Sequence, residues 1–165
     1  RDIGTMRSFY DAHMDLVKPS PAFRFDAHDW PIYTASRFLP CARITETMFT
    51  RSMLADGTLI TSSIVEDSVI GVRTTIRGAT IKRTLIMGAD SRVDRSAPSS
   101  DIPPVGIGEG TIVHDAIIDK NARIGRNVRI LNEAKLVEAV GDGWAIRDGI
   151  VVIPKDAIIP DNTVI

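Results

Sequence analysis

The sequence predicts an all-β fold built from internal repeats, and three observations lead to this prediction. Isoleucine recurs every six residues in three separate runs, with a small or β-branched residue four places after most of them. A period of six fits neither a helix nor an alternating strand, so it indicates a repeat. Aromatic residues make up only 5% of the chain, which suits a narrow interior of stacked aliphatic side chains. The three runs are Ile64, Ile70 and Ile76; Ile112, Ile118, Ile124 and Ile130; and Ile153, Ile159 and Ile165.

Hexapeptide repeats are typical of a parallel β-helix, in which each hexad is one short strand plus a corner. Three hexads make a triangular coil of about 18 residues, so residues 43–165 are predicted to form about five coils. Positions one and five of each hexad are expected to point inward. We expect loops to leave the prism at 89–105 and 132–145, where proline, serine, aspartate and glycine interrupt the repeat. Parallel crossovers are usually right-handed, but prisms of hexapeptide repeats resemble a left-handed class, and we expect a left-handed β-helix on that resemblance.

The residues before the repeat are predicted to form a short helix and a linker. Residues 5–17 place Met6, Tyr10 and Met14 on one face, and Thr5 can cap the helix. Pro19 ends it, because a residue that precedes proline is driven out of the helical region. Residues 18–42 contain four prolines and five aromatic residues. We expect this linker to lie against a hydrophobic surface, since so many aromatic side chains are unfavourable in water. The predicted division is therefore 1–17, 18–42 and 43–165.

Composition narrows the possible partners and compartments. The formal net charge is −1 and the pI is near 6.3, so no basic field favours nucleic acid or a membrane surface. The single cysteine, Cys41, excludes an internal disulfide framework and fits the reducing cytoplasm. No stretch reaches the roughly 18 apolar residues of a membrane span.

Two lysines are the most informative candidates for a binding site. Lys120 and Lys155 are the third residues of the hexads that begin at Ile118 and Ile153, so they occupy one outward slot in two coils. Two cations on a rigid wall can hold a phosphorylated small molecule. The alternative is two solvated lysines on a charged face. Arg37, among prolines and aromatic residues, is either a pre-organised anion ligand or a packing residue.

His114 is a second candidate. It is the third residue of the hexad from Ile112, so it is expected to point outward. It is either a solvated surface histidine or the base of a hexapeptide-repeat acyltransferase. No metal-spaced cluster of histidines accompanies it.

Five segments resemble a known family. Residues 1–5, 32–40, 87–90, 118–125 and 148–155 are similar, in order, to the C-terminal part of ADP-glucose pyrophosphorylase (glucose-1-phosphate adenylyltransferase), closest to its cyanobacterial and plant branch. The resemblance implies a left-handed β-helix that follows an N-terminal nucleotidyltransferase domain. That parent enzyme makes ADP-glucose and diphosphate from ATP and glucose 1-phosphate with Mg²⁺, for glycogen or starch synthesis. The resemblance further implies that the parent enzyme is a tetramer controlled by metabolites, in the cytoplasm or the plastid stroma.

The same resemblance suggests roles for particular residues. Lys120 and Lys155 match two lysines that bind a sugar-phosphate activator, and Asp119 and Arg37 match residues near that anion pocket. Asp2 matches a metal-binding aspartate of the parent active site, but it cannot hold Mg²⁺ alone. Pro154 precedes Lys155 at a position where the family usually has an aliphatic residue.

The resulting expectation is an allosteric and oligomerisation domain, inactive in catalysis by itself. Its partners would be the N-terminal catalytic domain, an anionic effector and further subunits. The rival interpretations are a free-standing acyltransferase and a purely structural oligomerisation module.

Overall fold

The computed structural model describes residues 3–25, 28–90 and 102–165, and these contain one helix and a series of short strands. The helix is α1 (Met6–Leu16). The strands are β1 (Arg43–Thr45), β2 (Met48–Thr50), β3 (Met53–Leu54), β4 (Leu59–Thr61), β5 (Ile64–Glu66), β6 (Val69–Ile70), β7 (Thr75–Arg77), β8 (Thr80–Lys82), β9 (Leu85–Ile86), β10 (Gly106–Ile107), β11 (Ile112–His114), β12 (Ala116–Ile118), β13 (Arg123–Ile124), β14 (Arg129–Ile130), β15 (Ala139–Gly141), β16 (Trp144–Arg147), β17 (Ile150–Ile153) and β18 (Ile158–Ile159).

The strands form three sheets that run the length of a prism, which confirms the predicted fold class. The first sheet has the order β1-β4-β7-β10-β13-β18 and the second β14-β11-β8-β5-β2. The third has the order β15-β16-β17-β12-β9-β6-β3. Pairing along the prism is parallel, so each coil contributes one strand to each sheet, as in a left-handed β-helix. Buried isoleucines and valines from all three sheets fill one continuous core.

The repeat length in the first coils differs from the predicted one. Partners in successive coils are 16 residues apart, as the Thr47–Ser63 and Ser52–Ser68 hydrogen bonds show. The predicted interval of six therefore holds in only part of these coils: Ile70 and Ile76 are buried six residues apart, as predicted. Ile64, predicted to point inward, is 39% exposed, and its neighbour Val65 is fully buried. Ile112 is likewise displaced from the core by Val113.

Short corners explain why these coils have 16 residues instead of the predicted 18 or so. Ser62 and Asp67 take positive φ angles of 49°, which turn the chain sharply. The next residues, Ser63 and Ser68, donate a hydroxyl hydrogen bond at 2.7 Å to the carbonyl two places earlier. Such corners need only two residues between strands, so the inward position recurs after five residues rather than six.

The later coils follow the predicted period. Ile118, Ile124 and Ile130 are buried at intervals of six, and Ile153 and Ile159 continue the pattern. The expected excursion near 132–145 contains a hairpin, because β15 and β16 pair antiparallel and extend the third sheet beyond β17. Most of the other predicted loop, residues 91–101, lies outside the described residues.

Helix α1 packs on the outer face of the third sheet. Thr5 caps it through a capping box with Ser8, as its hydroxyl suggested. Tyr10 is 5% exposed and packs in a cluster with Leu85, Ile117 and Ile150. Its hydroxyl donates to the Arg83 carbonyl oxygen at 2.5 Å, which ties the helix to the prism. No helix in the described ranges is long and apolar enough to cross a bilayer.

The linker does not pack as predicted. Tyr33 and Phe38 are 92% and 94% exposed, so the expectation that this segment lies against a hydrophobic surface is wrong for them. Phe23 packs edge-on against Phe25 and Trp30, at centroid distances of 5.3 and 6.1 Å. These three rings therefore contact one another instead of the prism. The apolar outer face of the third sheet is already covered by α1.

Candidate functional site

Two consecutive coils bring Lys120 and Lys155 to the same edge of the prism. Ile118 and Ile153 are direct partners in the third sheet, and both are buried. Two residues after each of them the chain turns outward. The backbone stays paired there, since the Asp156 N–H donates to the Lys120 carbonyl oxygen at 2.9 Å. The lysine side chains are 43% and 51% exposed, as the repeat predicted.

A carboxylate from the preceding coil joins the two lysines. One oxygen of Asp90 lies 2.7 Å from Lys120 Nζ, and its other oxygen lies 2.7 Å from Lys155 Nζ. Both ammonium groups therefore converge on a single small anion. We call Asp90, Lys120 and Lys155 the lysine–aspartate cluster.

The backbone around Asp90 is anchored to the same coils. Its N–H donates to Asn121 Oδ1 at 2.9 Å, and its carbonyl oxygen accepts from Arg73 Nη1 at 3.0 Å. Asn121 also donates from Nδ2 to Asp156 Oδ1 at 2.9 Å. Asn121 thus links the segment that carries Asp90 to the corner that carries Lys155.

A glycine occupies the corresponding outward slot of the preceding coil. Gly88 lies two residues after Ile86, which pairs with Ile118, and its φ is +92°. A Cβ there would lie 2.2 Å from the Val72 carbonyl oxygen, so no side chain fits. No third side chain from this slot competes with Asp90 for the two lysines.

The charges of the cluster stabilise one another. Hydrogen bonds from Lys120 first and Lys155 second lower the pKa of Asp90 to about 2. The Asp90 hydrogen bond and charge raise the pKa of Lys155 above 10.5, with smaller contributions from Asp156 and Asp119. A depressed carboxyl pKa favours the ion pair until pH falls toward 2, and a raised lysine pKa favours it until pH exceeds 10.5. The ion pairs are therefore complete at neutral pH.

The other predicted site residues stand apart from these contacts. Asp119 turns back on its own chain, where Oδ1 accepts from the Lys120 N–H at 2.7 Å. Arg37 is exposed in the linker, and within the described ranges its guanidinium makes no hydrogen bond or ion pair. Asp2 lies outside the described residues. The binding roles of Asp119 and Arg37 stay predictions.

His114 lies on β11, beside Lys82 on β8. Burial, and then the positive charge of Arg83, lower the pKa of its imidazole below the ordinary 6.5. It is therefore mostly neutral at pH 7. In the described ranges no group of three or more His, Cys, Asp or Glu residues could hold a metal ion.

Sequence reasoning missed Asp90 and Asn121 as members of the site. Residues 87–90 carried part of the family resemblance, but the predicted coil length gave no means of aligning them with Lys120. The available signal was the isoleucine at 86, which precedes Gly88 by the same two residues that separate Ile118 from Lys120. Aligning the three isoleucines would have placed a carboxylate beside the stacked cations.

The fold and the cluster together define a class of protein: a left-handed parallel β-helix domain with a pair of converging cations on its outer wall. Comparison with protein families identifies it further. The chain belongs to the GLGC left-handed parallel β-helix domain family, whose model matches residues 37–164. This membership is consistent with the C-terminal part of ADP-glucose pyrophosphorylase, which the sequence motifs resembled.

Proposed function

We propose that the chain is the allosteric and assembly domain of a glucose-1-phosphate adenylyltransferase, and that an anionic metabolite binds at Lys120 and Lys155. The observation that carries the proposal is the convergence of both ammonium groups on one carboxylate, at 2.7 Å each. A phosphate group offers the same acceptor oxygens with more charge. Backbone pairing between adjacent coils fixes the main chain at both lysines, so the two cations stand at one place on the outer wall.

The proposed mechanism is a coupling between this site and catalysis. The effector contacts the two lysines and basic groups of the N-terminal catalytic domain, with Arg37 and Asp119 near the same pocket. It then shifts the catalytic domain between states of low and high activity, because it binds one state more tightly. Formation of ADP-glucose and diphosphate from ATP and glucose 1-phosphate, with Mg²⁺, belongs to the catalytic domain. The β-helix domain supplies control.

Exposed apolar groups support a role in assembly. Tyr33 and Phe38 in the linker are more than nine-tenths exposed, and we assign them to contacts with the catalytic domain. Met48, 65% exposed, lies next to Ile64 on the outer face of the second sheet. Such side chains fit contacts between subunits of a tetramer. We place the enzyme in the cytoplasm, or in the plastid stroma if the source is a plant.

The test is a titration of the ¹⁵N-labelled chain with 3-phosphoglycerate, fructose 1,6-bisphosphate and inorganic phosphate, followed by amide chemical shifts. We expect saturable shifts at Lys120, Asn121 and Asp156, because their backbone groups border the cluster. The amide of Lys82, on another face of the prism, is the internal control.

Shifts confined to other faces, or none with any of the three anions in folded protein, would favour a purely structural module. Binding of acetyl-coenzyme A near His114 would instead support the acyltransferase alternative. Effector binding at Lys120 perturbs amides next to the third sheet, whereas acetyl-coenzyme A near His114 perturbs amides of the second sheet, so the amide shifts separate these two sites.

A further inference from the structure

The lysine–aspartate cluster is occupied by a group of the protein itself. The two oxygens of Asp90 take both lysine ammonium groups at 2.7 Å, which are the contacts that a bound anion would use. An effector cannot make these contacts while the carboxylate holds them. Occupation of the cluster by Asp90 and by effector is therefore mutually exclusive.

The side chain can leave without disturbing the backbone. The Asp90 N–H is held by Asn121 and its carbonyl oxygen by Arg73, so the main chain stays in place when the carboxylate rotates. Its side chain is 35% exposed, so the released carboxylate reaches water directly. Release needs rotation about the side-chain bonds only.

We infer that Asp90 is a built-in competitor that occupies the effector site of the resting domain and is displaced when a phosphorylated anion binds. The inference rests on the proposed function, since it assumes that Lys120 and Lys155 form an anion site. It adds that the effector concentration needed for binding is set by Asp90 as well as by the lysines.

The size of the effect follows from the exposure of the ion pairs. Partly exposed pairs are individually weak, and an effector that must break two of them loses about 2- to 30-fold in affinity. The anchored backbone also keeps the displaced negative charge close to the bound anion, which adds repulsion. A carboxylate held this loosely weakens effector binding without preventing it.

The experiment compares the chain with its Asp90→Asn variant by calorimetric titration with inorganic phosphate and 3-phosphoglycerate. The amide keeps the shape of the side chain and removes its charge, so we expect Kd to fall about 2- to 30-fold. Asp156→Asn is the matched control, because it removes one negative charge at the same edge from a residue that bonds Asn121. We expect a smaller change in Kd for this control.

A second measurement uses the unaltered chain. The ¹³C shift of the Asp90 carboxylate should move toward that of a free aspartate as 3-phosphoglycerate saturates the site. This readout does not depend on how any variant folds.

The outcomes separate the two claims. If the unaltered chain binds and Asp90→Asn binds equally or more weakly, Asp90 is not a competitor and the inference is overturned while the proposed site stands. The same holds if Asp156→Asn tightens binding as much as Asp90→Asn, since the effect is then one of overall charge. If neither the chain nor Asp90→Asn binds any of these anions, the proposed effector site fails, and the inference fails with it.

Discussion

Replacing Ile81 by alanine is expected to lower the free energy of unfolding by about 2–5 kcal/mol. Ile81 is fully buried in the core, on β8 of the second sheet. Truncation removes buried apolar surface and leaves a cavity that the stacked coils cannot close, because each coil is held by hydrogen bonds to its neighbours. Urea unfolding followed by circular dichroism measures the loss.

Ile64→Ala is the matched control for this experiment. Ile64 lies on β5, the strand that pairs with β8, but its side chain faces outward and is 39% exposed. We expect a change below about 1 kcal/mol. A strict six-residue repeat places Ile64 in the core, so a large loss for Ile64→Ala with a small one for Ile81→Ala would contradict the described coil.

Replacing both Lys120 and Lys155 by glutamine is expected to weaken binding of 3-phosphoglycerate by about 30-fold or more. Each single replacement is expected to weaken it about 5- to 30-fold, between the values for exposed ion pairs and charge-assisted hydrogen bonds. The Asp90 carboxylate adds to the loss of affinity, because it stays near the site and repels the anion when one or both lysine charges are removed. Calorimetric titration of the three variants and the unaltered chain gives the affinities.

Lys82→Gln provides the control for charge alone. Lys82 is also an exposed lysine in an ion pair, with Glu66 at 3.2 Å, but it lies on another sheet. We expect its replacement to change the affinity less than about twofold, since exposed charges at a distance are screened by salt. Equal losses for Lys82→Gln and Lys155→Gln would show that the anion responds to net charge and does not bind between the two lysines.

Much of the fold could be predicted because the later coils keep a strict period. From Ile118 to Ile130 the inward positions recur every six residues, and the same interval separates Ile153 from Ile159. These are the coils that carry the lysines, so their outward placement followed correctly from counting. The capped helix was also visible, since Thr5 and Pro19 mark its two ends.

Two predictions were wrong: the number of residues in the corners of the first coils, and the packing of the linker aromatic residues. Corners such as Ser62-Ser63 turn in two residues by combining a positive φ with a hydroxyl hydrogen bond, and periodicity alone does not reveal their length. The linker was misjudged because composition shows that aromatic residues need partners without showing where those partners are. Tyr33 and Phe38 remain exposed in the described chain.

The site was predicted in part for a related reason. The two cations share a slot within the regular coils, so the repeat brought them together. Asp90 follows β9, which lies one coil before the lysines. The strand that pairs with β9 is β12, and it begins only after the 87–105 segment. The alignment of Asp90 with Lys120 depends on a long connection whose length the repeat does not specify.

We propose that two lysines from successive coils hold one anion on the outer wall of the prism. Structure determination of the chain with 3-phosphoglycerate tests it most directly. We expect a phosphate within hydrogen-bonding distance of both Lys120 Nζ and Lys155 Nζ, with the Asp90 carboxylate turned away from them. A ligand bound elsewhere, or Asp90 still bridging both lysines beneath a bound phosphate, would contradict it.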